Sequence, residues 1–295
     1  VVVGGAGAVG RLLIGAIDRY GAERGGAAAV CVLDPGADDP GSRIDALVDT
    51  EALTGALTGA DVVVLAVPES VAHAIGPVVL AATGPGAVVV DTLSVKDRWL
   101  RLVTGTGDRP SVLAINPMFA PSLGFAGRPV AVVELPSTAG GADRWSDWFM
   151  GVLAATGCCL VPVKANDHDR LTAGLQVATH AAVLAFGATM VELGLDMDQV
   201  GRLAPPPHLT MLALLARLVS GEPHVYHDIQ YGHPLATETR AAMIAGLQRL
   251  EAAAAVTDPA AYRAFIEPMV SMVSQSPTSL TGLCHRLFAE LRTPE

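Results

Sequence analysis

Val1-Val2-Val3-Gly4-Gly5-Ala6-Gly7-Ala8-Val9-Gly10-Arg11-Leu12-Leu13-Ile14 is the stretch that decides the fold. Three β-branched residues predict a short buried strand, and the apolar spacing from Leu12 to Tyr20 predicts a helix. Gly5, Gly7 and Gly10 lie between them, with Ala8 and Val9 filling the variable positions. In a strand–turn–helix the first glycine makes the tight turn and the second lets a pyrophosphate approach the backbone. The third lets helix pack closely on strand, while the helix N-terminus faces the phosphates. The pattern alone is weak in a chain this rich in Gly and Ala. Its context is stronger: a second apolar run, Ala28 to Leu33, ends in Asp34, where an acid is expected to hydrogen-bond the adenine ribose. No arginine immediately follows Asp34, and its carboxylate would repel a 2′-phosphate, so NAD is favoured over NADP. The plainer reading of Asp34 is a turn acid before Pro35 and Gly36.

Further along, Asp61 to Ala66 predicts a buried strand that delivers Val67 and Pro68 to a loop at its carboxyl end. Ligands of open parallel sheets bind at that edge. Val88-Val89-Val90-Asp91 repeats the pattern and leads to Ser94 and Lys96, which on spacing alone could simply cap the next helix. Val112 to Ile115 is another strand, placing Asn116-Pro117 at the same edge. Later strands are expected at Val130 to Leu135 and Leu160 to Val163, with a helix carrying Trp145 and Trp148 between them. The Gly/Pro-rich stretch Pro121 to Pro129 is expected to be a mobile loop.

From Asp167 the texture changes to long helical patterns. Gln176 and His180 are four apart and share a helical face. Arg217 sits in an apolar helix, Leu209 to Ser220, where burial would be costly without an anion. Helices at 236–255 and 259–292 complete this half. The expected fold is therefore an α/β, Rossmann-like dinucleotide-binding domain (1–164) followed by an all-α domain (165–295). The second domain's many Leu, Ala and Met residues suggest a homodimer.

Of the 295 residues, 51% are hydrophobic, yet no uninterrupted apolar run reaches the ~20 residues of a membrane span. A formal charge of −10 argues against nucleic acid, which calls for a basic face. Cys31, Cys158, Cys159 and Cys284 lack metal-site spacing and are read as reduced core thiols. No signal peptide is evident, which points to a cytoplasmic protein. The chain opens without an initiator Met, inside an apparent strand.

Several segments in order carry a resemblance: Gly5 to Gly10, Asp91-Thr92-Leu93-Ser94-Val95-Lys96, Asn116-Pro117-Met118-Phe119, and His168-Asp169-Arg170 through Gln176 and His180. With Arg217-Leu218 and Pro223-His224-Val225-Tyr226-His227-Asp228-Ile229, they resemble the prephenate/arogenate dehydrogenase family over nearly the whole chain. The resemblance implies a Rossmann-like domain, a helical dimerisation domain and an active site in the cleft between them. It implies oxidative decarboxylation of a cyclohexadienyl substrate, with hydride passing to NAD and the ring carboxylate leaving as CO2. Ser94 would support position 116, Arg217 would hold a substrate carboxylate, and His180, Gln176 and Tyr226 would line the pocket.

The departure is at position 116. The family pattern is His-Pro, the histidine taking the proton of the substrate's 4-hydroxyl; here Asn116 has no usable basicity. An amine at C4 needs no such base, because its lone pair expels the hydride, so 4-amino-4-deoxyprephenate is the expected substrate. Family variants of this kind belong to antibiotic pathways. Two alternatives stand beside it: a prephenate or arogenate dehydrogenase in which a neighbour compensates for Asn116, and a catalytically silent dinucleotide-binding sensor. Pro205-Pro206-Pro207, where the family has a glycine-rich turn, and Ser122, at its acidic or polar position, also depart from the pattern.

Overall fold

The computed structural model describes residues 1–104, 110–135, 144–221 and 223–291. They form two units, Val1–Thr172 and Ala173–Glu295. The sequence had placed this boundary at 164/165. The helix Ala165–Thr172 instead belongs to the first unit, because His168 and Asp169 on it are buried against that unit's loops.

The first unit is a seven-stranded sheet. In chain order its elements are β1 (Val2–Val3), α1 (Ala8–Glu23), β2 (Val32–Leu33), α2 (Thr50–Leu57), β3 (Val62–Leu65), α3 (Glu69–Ala82), β4 (Val88–Asp91) and α4 (Asp97–Thr104). They continue as β5 (Ser111–Pro117), β6 (Pro129–Glu134), α5 (Arg144–Ala155), β7 (Cys159–Lys164) and α6 (Ala165–Thr172). The strand order is β2-β1-β3-β4-β5-β6-β7. β1 to β5 are mutually parallel, β6 runs antiparallel to β5, and β7 runs parallel to β6. With β2 and β3 on opposite sides of β1, the chain reverses its winding beside the glycine turn, at the switch point where such sheets bind ligands.

Period-two alternation divides the core into two layers. Val88 and Val90 of β4 face Leu13 and Ile17 of α1 and Phe149 of α5. Val89 faces the other way, toward Leu57 of α2, Val79 of α3 and Trp99 of α4. Burial on both faces is why these strands read as unbroken apolar runs.

The run Ala28 to Leu33 yields only two strand residues, because β1, its sole partner, is itself two residues long. The stretch Pro121 to Pro129, expected to be mobile, is instead an anchored turn. Phe125 is buried against Phe119 at 5.5 Å between ring centroids, and Gly127 donates a 2.8 Å hydrogen bond to the Gly157 carbonyl. The cysteines are not core thiols: Cys31 and Cys159 are exposed, Cys158 and Cys284 half-buried.

The second unit is helical: a π-helical turn Ala173–Ala178, α7 (Thr179–Glu192), α8 (Met197–Leu203), α9 (Pro206–Val219), α10 (Pro223–His227), a second π turn Asp228–Gly232, α11 (Ala236–Ala254), α12 (Pro259–Ser274) and α13 (Leu280–Glu290). The prolines at 205–207 open α9, where a fixed φ and a missing N–H cost little. The single helix expected over 259–292 is two, broken before Pro277, with Ser279 capping the second through the Gly282 N–H. Among the described residues this unit has a buried apolar cluster of just Val177, Ile229 and Ala236. Large apolar side chains such as Val191, Leu203, Ile244, Leu247 and Met272 are exposed. The helical run Ala165–Glu192 also has the length and hydropathy of a membrane span, although Gln176 and His180 interrupt it.

Candidate functional site

At the glycine turn, Gly4 has φ +82°, a conformation that favours glycine, and a Cβ there would lie 2.3 Å from the Ala66 carbonyl oxygen. The sequence reading began the motif one residue later and missed it. A Cβ on Gly10 would lie 2.3 Å from the Gly4 oxygen, so the third glycine sits where helix and strand meet most closely. Gly7 precedes α1 without any side-chain cap, leaving the first-turn N–H groups of Ala8, Val9 and Gly10 outside the helix's own ladder. That is the donor set an anionic pyrophosphate requires.

Asp34 lies at the end of β2 beside this turn. One carboxylate oxygen accepts from the Ala6 N–H at 3.0 Å and the other from the Gly36 N–H at 2.7 Å. The turn-acid role and the position beside the glycine loop are therefore both real; each oxygen keeps a lone pair for a diol. Val67 closes the opposite side, its Cγ1 within 2.7 Å of a Cβ built on Gly4, and Pro68 caps α3. These residues fit a dinucleotide.

Asn116 lies near the carboxyl end of β5, two residues beyond the last residue paired with β4, and is 1% exposed. Its amide nitrogen is 3.4 Å from the Ser94 carbonyl oxygen and 3.3 Å from His168 Nε2. His168 Nδ1 is 2.7 Å from Asp169 Oδ1. The Asp169 carboxylate also accepts from the Lys96 N–H at 3.0 Å and the Asp97 N–H at 2.8 Å. Burial alone would raise the Asp169 carboxyl, but the hydrogen bonds from His168, Lys96 and Asp97 outweigh it and hold the carboxyl below its ordinary range. Ser94, expected to support position 116, does so through its backbone carbonyl rather than its hydroxyl.

Beneath this row lies a pair the sequence reading missed, having taken Lys96 for a possible cap. Lys96 and Asp91 form an ion pair with both side chains fully buried. Lys96 Nζ also donates to the Ile115 carbonyl at 2.8 Å, which ties β4 and the loop after it to the residue before Asn116. Burial pushes the Asp91 carboxyl up and the Lys96 ammonium down, each opposed by its partner. The available signal was Asp91 closing a fully apolar strand with a lysine five residues on.

In the helical unit, Gln176 lies in the π turn and His180 in the first turn of α7. Gln176 Oε1 and His180 Nδ1 are both buried without a hydrogen-bond partner among the described residues. Such orphans are rare in native proteins and mark ligand or water positions. The His180 ring meets Tyr226 edge-on at 5.1 Å. Burial lowers the His180 pKa, and the Arg217 charge lowers it further. Gly187 permits this approach of α7 and α9, since a Cβ there would lie 2.6 Å from Leu215 Cδ1. Arg217 itself is exposed, so the argument from its burial cost does not hold; its charge acts on His180 from the surface of α9. A further tie went unread: Gln230 donates to the Val177 carbonyl at 2.9 Å, and Arg240 donates to the Gln230 carbonyl at 2.6 Å. It locks the two π turns together.

Comparison with known proteins starts the helical domain at residue 164, where the sequence placed the boundary, rather than at Ala173. Residues 164–265 match the family described as "Prephenate dehydrogenase, dimerization domain". The chain is 43% identical to the 4-amino-4-deoxyprephenate dehydrogenase of Streptomyces pristinaespiralis, over 99% of this chain and 96% of that one. It is 30% identical to the T-protein of Enterobacter agglomerans over 61% of this chain and 46% of that one. The fold resembles that of the prephenate dehydrogenase from A. aeolicus, solved in complex with hydroxyphenyl propionate and NAD+. The TM-score is 0.67 at 15% identity, covering 92% of this chain and 94% of that one. With a full-length relative at that level of identity, and the glycine cradle and helical unit in place, the chain belongs to the prephenate dehydrogenase family.

Proposed function

We propose that the chain catalyses the NAD-dependent oxidative decarboxylation of 4-amino-4-deoxyprephenate to 4-aminophenylpyruvate. The observation that carries this is Asn116, an amide at the edge position where the family pattern has a histidine base. The 43% identity to a protein of that named activity supports it.

When bound, the dinucleotide accepts the hydride released from C4. The glycine turn and the α1 N-terminus would hold its pyrophosphate, and Asp34 would hold its ribose diol, favouring NAD over a cofactor bearing a 2′-phosphate. At the substrate, the C4 amine lone pair expels hydride to give an iminium. Electrons of the C1–carboxylate bond then flow through the ring to that nitrogen, CO2 leaves, and an arylamine results. No proton has to be removed before hydride departs. The hydroxyl analogue must lose one, and without a base it forfeits roughly 10²–10⁴ in rate. Asn116 contributes an acceptor for the amine N–H, and a site built around one hydrogen-bond pattern rejects the wrong analogue strongly.

Arg217 would bind a substrate carboxylate, while Gln176, His180 and Tyr226 would contribute pocket contacts. The neutral form of His180, favoured by its lowered pKa, avoids adding a second cation beside Arg217. The exposed apolar surface of α7 and α11 is the kind a second copy of the chain would cover, and we assign it to a homodimer.

The test is NADH formation by the purified protein with each substrate. The amino compound should be oxidised at least ~100-fold more efficiently than prephenate; equal kcat/KM values would end this reading.

A further inference from the structure

Resting on the amine reading of the site, we propose that His168 is a positioning residue that decides which end of the Asn116 amide is offered to substrate. The two ends of a carboxamide have nearly the same shape and opposite hydrogen-bonding character, so an acceptor role for Asn116 requires something to distinguish them.

The local geometry does so. The Ser94 carbonyl can only accept, so the atom facing it at 3.4 Å must be the amide nitrogen. That nitrogen's other hydrogen points at His168 Nε2, 3.3 Å away, and Nε2 can receive it only if it carries a lone pair. The imidazole proton must then sit on Nδ1, where it donates to Asp169 Oδ1 at 2.7 Å. Asp169 is in turn fixed by the Lys96 and Asp97 N–H groups at the start of α4. The row therefore runs in one sense, from Asn116 to His168 to Asp169. It leaves Asn116 Oδ1 with no hydrogen-bond donor among the described residues. His168 is 1% exposed and touches the amide rather than solvent, so it orients the group without having to exchange protons with substrate.

Adding a second proton to His168 would convert Nε2 to a donor. The amide would have to turn, presenting its NH2 to a substrate amine that also donates. Asp169 lies beside this imidazole on α6, and the charge of Asp91, paired with Lys96, acts on it from the end of β4.

The experiment combines His168→Gln and His168→Leu. Glutamine offers an acceptor oxygen near the place of Nε2 and does not titrate; leucine offers none. With 4-amino-4-deoxyprephenate, His168→Leu should lose roughly ten- to a hundredfold in kcat/KM, the cost of leaving the amide nitrogen unpaired and free to turn. NAD affinity should be unchanged, and His168→Gln should recover most of the loss. Independently of turnover, long-range proton–nitrogen NMR on isotope-labelled histidine reads the tautomer. The signal lost in His168→Gln should be that of an Nδ1–H imidazole.

An Nε2–H tautomer overturns the proposal, as does wild-type activity in His168→Leu or a folded His168→Gln no better than His168→Leu. If the leucine variant does not fold, the tautomer decides, together with near-wild-type kcat/KM in the glutamine variant. A wild-type enzyme preferring prephenate would refute the amine reading while the tautomer still judged the orientation.

Discussion

Asn116→His is the substitution that asks most of this site. In the rotamer of Asn116, imidazole Nδ1 falls near the present amide nitrogen. Its single N–H would take one of the same acceptors, the Ser94 carbonyl at 3.4 Å or His168 Nε2 at 3.3 Å. Nε2 would then take up the free side with a basic lone pair, as a general base requires. The full value of such a base is about 10²–10⁴ in rate, or roughly 3–5 kcal/mol of barrier. Part of that is forfeited, because position 116 is 1% exposed and a larger ring in a packed site costs about 1–3 kcal/mol. We expect kcat/KM for prephenate to rise by roughly 10–100-fold and that for the amino substrate to fall, with a stability loss of about 1–2 kcal/mol. NADH absorbance with each substrate gives the ratio, and urea denaturation gives the stability. A folded, NAD-binding variant with no gain on prephenate would refute the reasoning, because residue 116 would then not face the reacting carbon.

Three further outcomes follow from the same structure. Lys96→Met should destabilise by about 3–5 kcal/mol in urea titration, since it leaves the Asp91 carboxylate buried and uncompensated; a cost under ~1 kcal/mol would show that the pair is not ionised. Gly10→Ala places a Cβ 2.3 Å from the Gly4 oxygen, a strain of about 1–3 kcal/mol. Drawn from the cofactor cradle, that weakens NAD binding roughly tenfold or more by calorimetry. Asp169 has a lowered folded pKa, so its stabilisation is present above the unfolded carboxylate value near ~3.9 and is lost as pH falls through the folded value. The stability advantage of wild type over Asp169→Asn should therefore be largest above about pH 5 and shrink toward strong acid, whereas a constant gap would contradict the assignment.

What was legible in the sequence was what repeats. The β-branched runs that became β3 and β4 and the glycine spacing before α1 are periodic signals that survive without a fold. Gly4 was missed because the Ala66 carbonyl that leaves no room for a Cβ comes from the end of a different strand. Ser94 was tied to position 116 by resemblance alone, and only the structure shows that its backbone carbonyl makes the contact. Arg217 was read as buried because apolar letters surround it, yet letters along a helix do not say which face is covered. The Lys96–Asp91 pair links neighbours in sequence, but its meaning depends on complete burial, which only the layers on both faces of the sheet create.

The same limit explains why Asn116 could be found from sequence while its orientation could not. Replacing a base by an amide removes a function that any reader of the motif will notice. It also introduces an ambiguity the histidine did not have in the same form, because an amide can offer either a donor or an acceptor from one position. Resolving that ambiguity needs an acceptor-only group and a histidine of fixed tautomer on one side of residue 116. The Ser94 carbonyl and His168 come from segments 22 and 52 residues away in the chain. Specificity for an amine therefore belongs to the whole row, from the start of α4 through Asp169 and His168 to the amide. Grafting asparagine alone onto a relative lacking that row would remove the base without supplying a directed acceptor.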